Sequence, residues 1–270
     1  MKKSSIKQIQ LDELDNLEIL SVSDSNKNFP LHYHETFCIS IIEKGAFVEN
    51  DKVALQGSIL VSNPFEVHKN SSFKSLDYSL KTLYVSSDVF DFALEKYSFS
   101  KNSLLQNLIT DDILFTEIKN ISQLIEDKQA NITDFESKII AVLNLLSQYN
   151  RLERKQSKTP FPTWFTDIQK YLDNNLNQKI SLEKVASRAK LDKFQFIRAF
   201  KKHIGLTPFQ YIVLSRIALT KKLLQEGYAI SQTALEAGFY DQSNFANYFK
   251  NYVGVTPRNY QQSFNILQDL

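Results

Sequence analysis

The sequence has one cysteine in 270 residues, and a lone cysteine forms no internal disulfide. Cys38, within "FCISII", therefore reads as a small buried hydrophobe in a reduced, cytoplasmic protein. No apolar run approaches the ~20 residues of a membrane-crossing helix. The opening "MKKSSIKQIQLDELD" has lysines with no apolar stretch behind them, so no secretory signal is expected. P-loop, dinucleotide-binding and Gly-x-Ser-x-Gly patterns are also missing. No cofactor and no catalytic residue are expected from motifs of these kinds.

What is present is unevenly distributed. Residues 1–150 carry 14 Lys+Arg against 21 Asp+Glu, and residues 151–270 carry 18 against 9. A net charge of +2 thus conceals an acidic half joined to a basic half, and the basic half suits a polyanionic partner.

The pattern changes along the chain too. Over residues 30–86 the runs are short and punctuated by turns. "TFCISII" alternates Phe37, Ile39 and Ile41 with Cys38, Ser40 and Ile42, and "AFVENDKVAL" divides around Asn50-Asp51 as a hairpin would. An antiparallel β-barrel or sandwich is expected there. Further on, Leu114, Ile118, Ile121 and Ile125 recur at helical spacing, as do Phe135, Ile139, Val142 and Leu146. Thr133 with Glu136 has the spacing of a capping box. These two stripes either cover the barrel or form a dimer seam. "NRLERKQSKTPFPT", polar and basic with two prolines, reads as a domain boundary. The expected organisation is α+β: a first domain over residues 1–150, a linker over 151–162 and an all-α domain over 163–270.

The basic half contains a repeat. "FKKHIGLTPFQY" at residues 200–211 returns as "FKNYVGVTPRNY" at 249–260, with six identities at an offset of 49. Upstream, Leu182, Val185, Ala186, Ala189 and Leu191 correspond to Ile230, Thr233, Ala234, Ala237 and Phe239 at an offset of 48, so one residue is inserted in the second turn. Each copy reads as helix, tight turn, helix. Small alanines let the helices cross closely, and Phe196/Phe200 or Phe245/Phe249 point to the core. Gly238 supplies a left-handed turn where Lys190 stands in the first copy. Asp192 and Asp241 start the following helices, Gly205 and Gly254 end them, and Thr207-Pro208 and Thr256-Pro257 begin the next.

This is helix-turn-helix geometry, whose second helix lies in a DNA major groove. A compact protein-interaction domain would share the buried pattern. The remaining surface favours DNA, because residues 193–204 and 242–254 contain no carboxylate. The first copy offers Lys193, Arg198, Lys201 and Lys202, and the second offers Gln242, Ser243, Asn244, Asn247, Lys250 and Asn251. Arginine and amides pair with base edges, and lysine neutralises phosphate. Residues 207–226 read as one connecting helix of about 30 Å. That is close to the ~34 Å between successive major-groove faces.

Over residues 165–262 the chain resembles the AraC/XylS family of bacterial transcription regulators. The resemblance rests on "FKKHIGLTP", "LSRIALTKKLL" and "GFYDQSNFANYFKNYVGVTPRNY". It implies two helix-turn-helix motifs reading adjacent major grooves of double-stranded DNA, with Phe194, Ile197 and Arg198 base-facing in the first and Gln242, Ser243, Asn244 and Asn247 in the second. Two positions depart from the family: Lys190 stands where Gly is usual, and Asn247 where Arg is common. "PLHYHETFCISIIEKGAF", "GSILVSNPFEVH" and "KTLYVS" resemble the cupin-like sensor of such regulators. That implies a small-molecule effector, a homodimer, contact with RNA polymerase and no membrane partner.

Three of the four histidines, His32, His34 and His68, fall in the sensor half and are its effector-binding candidates. His-x-His on a strand aims both rings to one face, as in metal-binding cupins, so a metal-dependent cupin enzyme with a DNA-binding appendage is the alternative. Such sites usually add a glutamate soon after the pair. Here Glu35 faces the opposite side and Glu43 lies beyond the strand, so no metal is expected. Lone structural or effector-contacting histidines are the preferred reading.

Overall fold

The computed structural model describes residues 3–9, 17–94, 104–127, 132–151 and 162–264. The linker expected at 151–162 falls outside them except at its two ends. The chain divides into two compact units, one of residues 1–29, 33–155 and 262–270, the other of 156–261 with Pro30–His32.

The first unit contains β1 (Lys3–Ile9), β2 (Leu17–Ser25), β3 (Phe29–His32), β4 (Phe37–Lys44), β5 (Ala46–Glu49), β6 (Lys52–Leu55), β7 (Ile59–Ser62), β8 (His68–Ser72) and β9 (Tyr78–Val85). There follow α1 (Ser87–Leu94), β10 (Leu104–Leu105), β11 (Leu108–Ile109), α2 (Asp112–Asp127), α3 (Ile132–Ser147) and β12 (Asn150–Arg151). Although the division groups Pro30–His32 with the second unit, β3 is hydrogen-bonded to β8 and is described with that sheet.

The strands form a six-stranded sheet in the order β1-β2-β9-β4-β7-β11, a four-stranded sheet in the order β3-β8-β5-β6, and the pair β10-β12. Of the barrel and sandwich expected, the strands form two separate sheets and not the closed cylinder of a barrel. Closure needs continuous strand pairing around the ring, and here the chain changes sheets instead. It leaves β4 for β5 through Gly45 at φ 72°, where a Cβ would meet the Asp77 carbonyl. The expected hairpin is present: β5 pairs antiparallel with β6 across Asn50-Asp51, with Asn50 at φ 54°.

Phe37, Ile39 and Ile41 on one face of β4 pack with Leu83 and Val85 of β9, and with Leu114, Ile118 and Ile121 of α2 and Ile139, Val142 and Leu146 of α3. The two stripes therefore cover the six-stranded sheet. Their described members, Leu114, Ile118, Ile121, Ile139, Val142 and Leu146, are fully or almost fully buried. The side chains of Ile125, Thr133, Phe135 and Glu136 lie outside the described residues. On the opposite face of β4, Cys38 is buried as expected, and Ser40 Oγ meets Thr82 Oγ1 at 2.7 Å.

The second unit is all helical: α4 (Trp164–Asp173), α5 (Leu182–Arg188), α6 (Lys193–Ile204), α7 (Pro208–Gln225), α8 (Ile230–Glu236), α9 (Gln242–Val253) and α10 (Pro257–Phe264). Local chemistry sets the boundaries. Asp192 caps α6 and forms a capping box with Gln195, as Thr207 does with Gln210 at α7, where Pro208 occupies the first turn. Asp241 caps α9 through the Asn244 amide at 2.7 Å. Gly205 and Gly254 end α6 and α9 in the left-handed conformation, at φ 82° and 94°. Trp164 packs edge-on against Phe196, with centroids 5.7 Å apart.

Candidate nucleic-acid interface and sensor interior

The two copies of the repeat superimpose in kind as well as in sequence. Helix α5 with α6 matches α8 with α9, and the intervening turn is one residue longer in the second copy. Lys190 adopts φ 56° where Gly238 adopts φ 77°, so a lysine holds the left-handed position in the first motif. Gly238 has a second reason to be glycine, since a Cβ there would run into the Leu176 carbonyl. Arg216, on α7, donates to that carbonyl from Nε at 3.0 Å and to the Gln178 carbonyl at 2.9 Å, tying the loop after α4 to the connecting helix.

Burial of Phe196 and Phe200 directs the opposite face of α6 outward. Phe194, Ile197, Arg198 and Lys201 are spaced three and four apart and share that face. Phe194 is 69% exposed, Arg198, Lys201 and Lys202 are exposed, and Ile197 is half-buried. Lys193 behaves differently. Its Nζ lies 2.7 Å from Glu183 Oε1, and this hydrogen bond pulls the Glu183 carboxyl down to about 2. On α9, Gln242, Ser243, Asn247, Lys250 and Asn251 are exposed, and Asn244 is half-buried. Tyr240, not singled out from the sequence, is 94% exposed immediately before Asp241. Its signal was positional, for the inserted residue of the second turn falls beside it. The connecting helix α7 has 18 residues, about 27 Å.

In the first unit, side chains from both sheets meet. Phe47 packs on Tyr78 at 4.6 Å between centroids, and His34 lies 5.3 Å from Tyr84 and 5.4 Å from His68. Burial, with Cys38 and Glu18 nearby, holds the Tyr84 hydroxyl well above the usual tyrosine range. Strand β3 ends at His32, so His34 sits in the loop before β4 instead of on the same strand. The three histidines nevertheless converge, with one ring nitrogen from each lying within 4.8 Å of the others.

The carboxylates fall out differently from the sequence reading. Glu35 is exposed, and Glu43 lies inside β4, with an oxygen 4.0 Å from Lys119 Nζ. The carboxylate beside the histidines is Glu49 of β5, which is 4% exposed. It pairs across the sheet with Asn70, two residues from His68, and its Oε2 lies 3.9 Å from His68 Nε2. Ser62 Oγ and Asn70 Nδ2 donate to the same oxygen. Two-residue periodicity could have found it, since Glu49 shares a strand face with buried Phe47.

Comparison with known proteins agrees on both units. A helix-turn-helix domain family matches residues 185–263, and the AraC-like ligand binding domain family matches residues 16–141. The HTH-type transcriptional activator AarP of Providencia stuartii is 31% identical over 126 residues, 45% of this chain and 93% of AarP. The chain belongs to the AraC/XylS family. It is a DNA-binding transcriptional regulator with an N-terminal ligand-binding domain. An uncharacterized HTH-type regulator of this kind, YbfI of Bacillus subtilis, is 24% identical over 87% of this chain and 88% of its own. The fold is also that of unsaturated fatty acid bound ToxT from Vibrio cholerae, with a TM-score of 0.53 at 14% identity, over 96% of this chain and 94% of that one. Among the described residues no helix is long and apolar enough to cross a membrane.

Proposed function

We propose that α6 and α9 are the two DNA-reading helices, and that they work unequally. The observation carrying this is the outward face of each helix. Arg198, Lys201 and Lys202 on α6 supply one base-pairing guanidinium and two phosphate-neutralising ammonium groups. Gln242, Ser243, Asn244 and Asn247 on α9 supply mainly amides, with Lys250 as its cation. Phe194 and Ile197 offer apolar contact to a thymine methyl group. Lys193, engaged by Glu183, contributes less charge than its neighbours. The direct test is selection of genomic fragments by the full-length chain, followed by titration at several salt concentrations. Specific, salt-sensitive binding supports the assignment, and its absence from every selected duplex rejects it.

The sensor is read as binding a small effector whose contact includes His32, His34 and His68. Relatedness to a fatty-acid-bound ToxT supports the existence of such a site and leaves the effector's chemistry to be measured. Screening metabolites for a rise in melting temperature that disappears in His34→Ala tests it. The chain is further read as a cytoplasmic regulator without turnover of its own, acting with RNA polymerase. The chain is also read as a homodimer whose contact leaves the buried residues of α2 and α3 on their sheet, and sedimentation of the full chain measures it.

A further inference from the structure

We infer that His32, His34 and His68, with the Glu49 carboxylate beside them, form a site for one divalent first-row transition ion. Three features carry this, and none depends on the effector.

The first is convergence. The three candidate ligand atoms lie within 4.8 Å of one another, and Glu49 Oε2 is 3.9 Å from His68 Nε2. Metal–nitrogen bonds of ~2.0–2.1 Å place tetrahedral donors about 3.4 Å apart. Ring rotations of roughly 1 Å therefore close the site, and His34, in a loop, has the most freedom to make them.

The second is the state of the rings. His32 Nδ1 lies 2.6 Å from the Pro30 carbonyl, and His68 Nδ1 lies 2.7 Å from the Glu66 carbonyl. A carbonyl only accepts, so Nδ1 carries a proton in both rings, and in the tautomer that could bind a metal Nε2 carries the lone pair. The same device, a bond to the carbonyl two residues back, thus prepares two rings on neighbouring strands. Backbone orientation of this kind fixes the tautomer and aim of metal-ligating histidines.

The third is burial with charge. His32, His68 and Glu49 are 3%, 2% and 4% exposed. Ser62 and Asn70 both donate to Glu49 Oε2, fixing its carboxylate at the histidine cluster. A buried carboxylate is best accommodated by a positive charge that is itself well coordinated. Three imidazoles and one carboxylate suit zinc, cobalt, nickel or ferrous iron, and not magnesium or calcium, which require mostly oxygen.

An ion here links β3, β8, β5 and the loop before β4. Imidazoles coordinated through Nε2 cannot also bond an effector there, so an effector reaches this site only through an ion that takes a fifth or sixth ligand beyond the four side chains. The test uses the full-length chain, stripped with chelator and titrated with Co²⁺ alone, then with Zn²⁺ in competition. One equivalent of Co²⁺ with visible bands of a nitrogen-rich site, displaced by Zn²⁺ and unaffected by excess Mg²⁺, is expected. Affinity should fall at least ~10-fold in Glu49→Gln and be lost in His34→Ala, with circular dichroism unchanged. If His34→Ala fails to fold, His34→Gln serves in its place. No uptake by the parent chain, or uptake that survives both the His34 and the His68→Gln variants, overturns the inference. Because the titration contains no effector, failure of ion uptake leaves the reading of direct effector contact standing, whereas uptake moves that contact from the rings to the ion.

Discussion

Phe200 meets Tyr211 edge-on with ring centroids 5.5 Å apart, and 49 residues later Phe249 meets Tyr260 in the same way at 5.3 Å. In each motif the preceding phenylalanine, Phe196 or Phe245, adds a further ring at 5.5 Å. The ladder joins α6 to α7 and α9 to α10, so side-chain packing helps to set the angle within each pair. Phe249→Ala should therefore destabilise the chain by ~3–5 kcal/mol, and Phe200→Ala by a similar amount. Urea unfolding measures both. A loss below 1 kcal/mol at either site would show that the ladder does not hold its motif.

The repeat also exposes one imperfect position. Thr233 stands where Val185 stands in the first copy, and its Oγ1 is buried with no hydrogen-bond partner among the described residues. Thr233→Val removes that buried hydroxyl while keeping the shape. It should stabilise the chain by about 1 kcal/mol, seen as a higher midpoint in urea. A destabilised variant would mean that the hydroxyl has a partner.

Lys190 and Gly238 allow a paired test of backbone strain. A side chain in the left-handed region costs ~1–2 kcal/mol, partly offset by the greater freedom of unfolded glycine. Lys190→Gly should thus stabilise by up to about 1 kcal/mol. Gly238→Ala should destabilise by more than that, because its Cβ would collide with the Leu176 carbonyl. Thermal melts of the two variants should move in opposite directions.

How much of this was legible follows from how local each feature is. Asp192, Thr207, Asp241 and Gly254 act on residues a few positions away, so helix boundaries could be read directly from the sequence. The position of Lys190 followed from alignment with Gly238 in the second copy. The sensor was legible as antiparallel strands and two amphipathic helices, but neither the choice of two sheets over a closed barrel nor the surface the helices cover was. That partition depends on β4 pairing with β7 and β9, partners far along the chain. Glu49 was missed because the search forward from His-x-His stopped at β4; periodicity places Glu49 on the buried face with Phe47, but only the pairing of β5 with β8 brings that face to His68.

One titrating group in the sensor can be followed by pH. Burial works to raise the Glu66 carboxyl, but donation from Asn63 Nδ2 and Asn107 Nδ2 outweighs it and holds the group below the ordinary range. A depressed carboxylate stabilises fully above its unfolded value of about 4.3, and that contribution is lost as pH falls through the folded value. Glu66→Gln should cost about 1 kcal/mol at neutral pH, allowing for partial exposure. The gap to the parent chain should narrow below about pH 4. A gap that widened on acidification would reverse the sign of the argument.

The proposed division of work between α6 and α9 predicts two kinds of DNA-binding defect. Arg198→Ala should lose ~1–3 kcal/mol of specific affinity and relax preference at one base position. Lys201→Ala and Lys202→Ala should weaken all sequences alike and reduce the salt slope by about 1 each. Competition titrations against specific and scrambled duplexes at several salt concentrations separate the two classes.

The central claim is that one chain reads two successive major grooves through helices held apart by α7. The most direct measurement is the affinity of the full-length chain for a selected site into which about five base pairs are inserted between the two contacted segments, half a turn of B-DNA. The account predicts that affinity falls toward that of a single contacted segment and recovers in part when about ten are inserted. Affinity independent of the insertion, at a salt concentration where specific binding is seen, would contradict it.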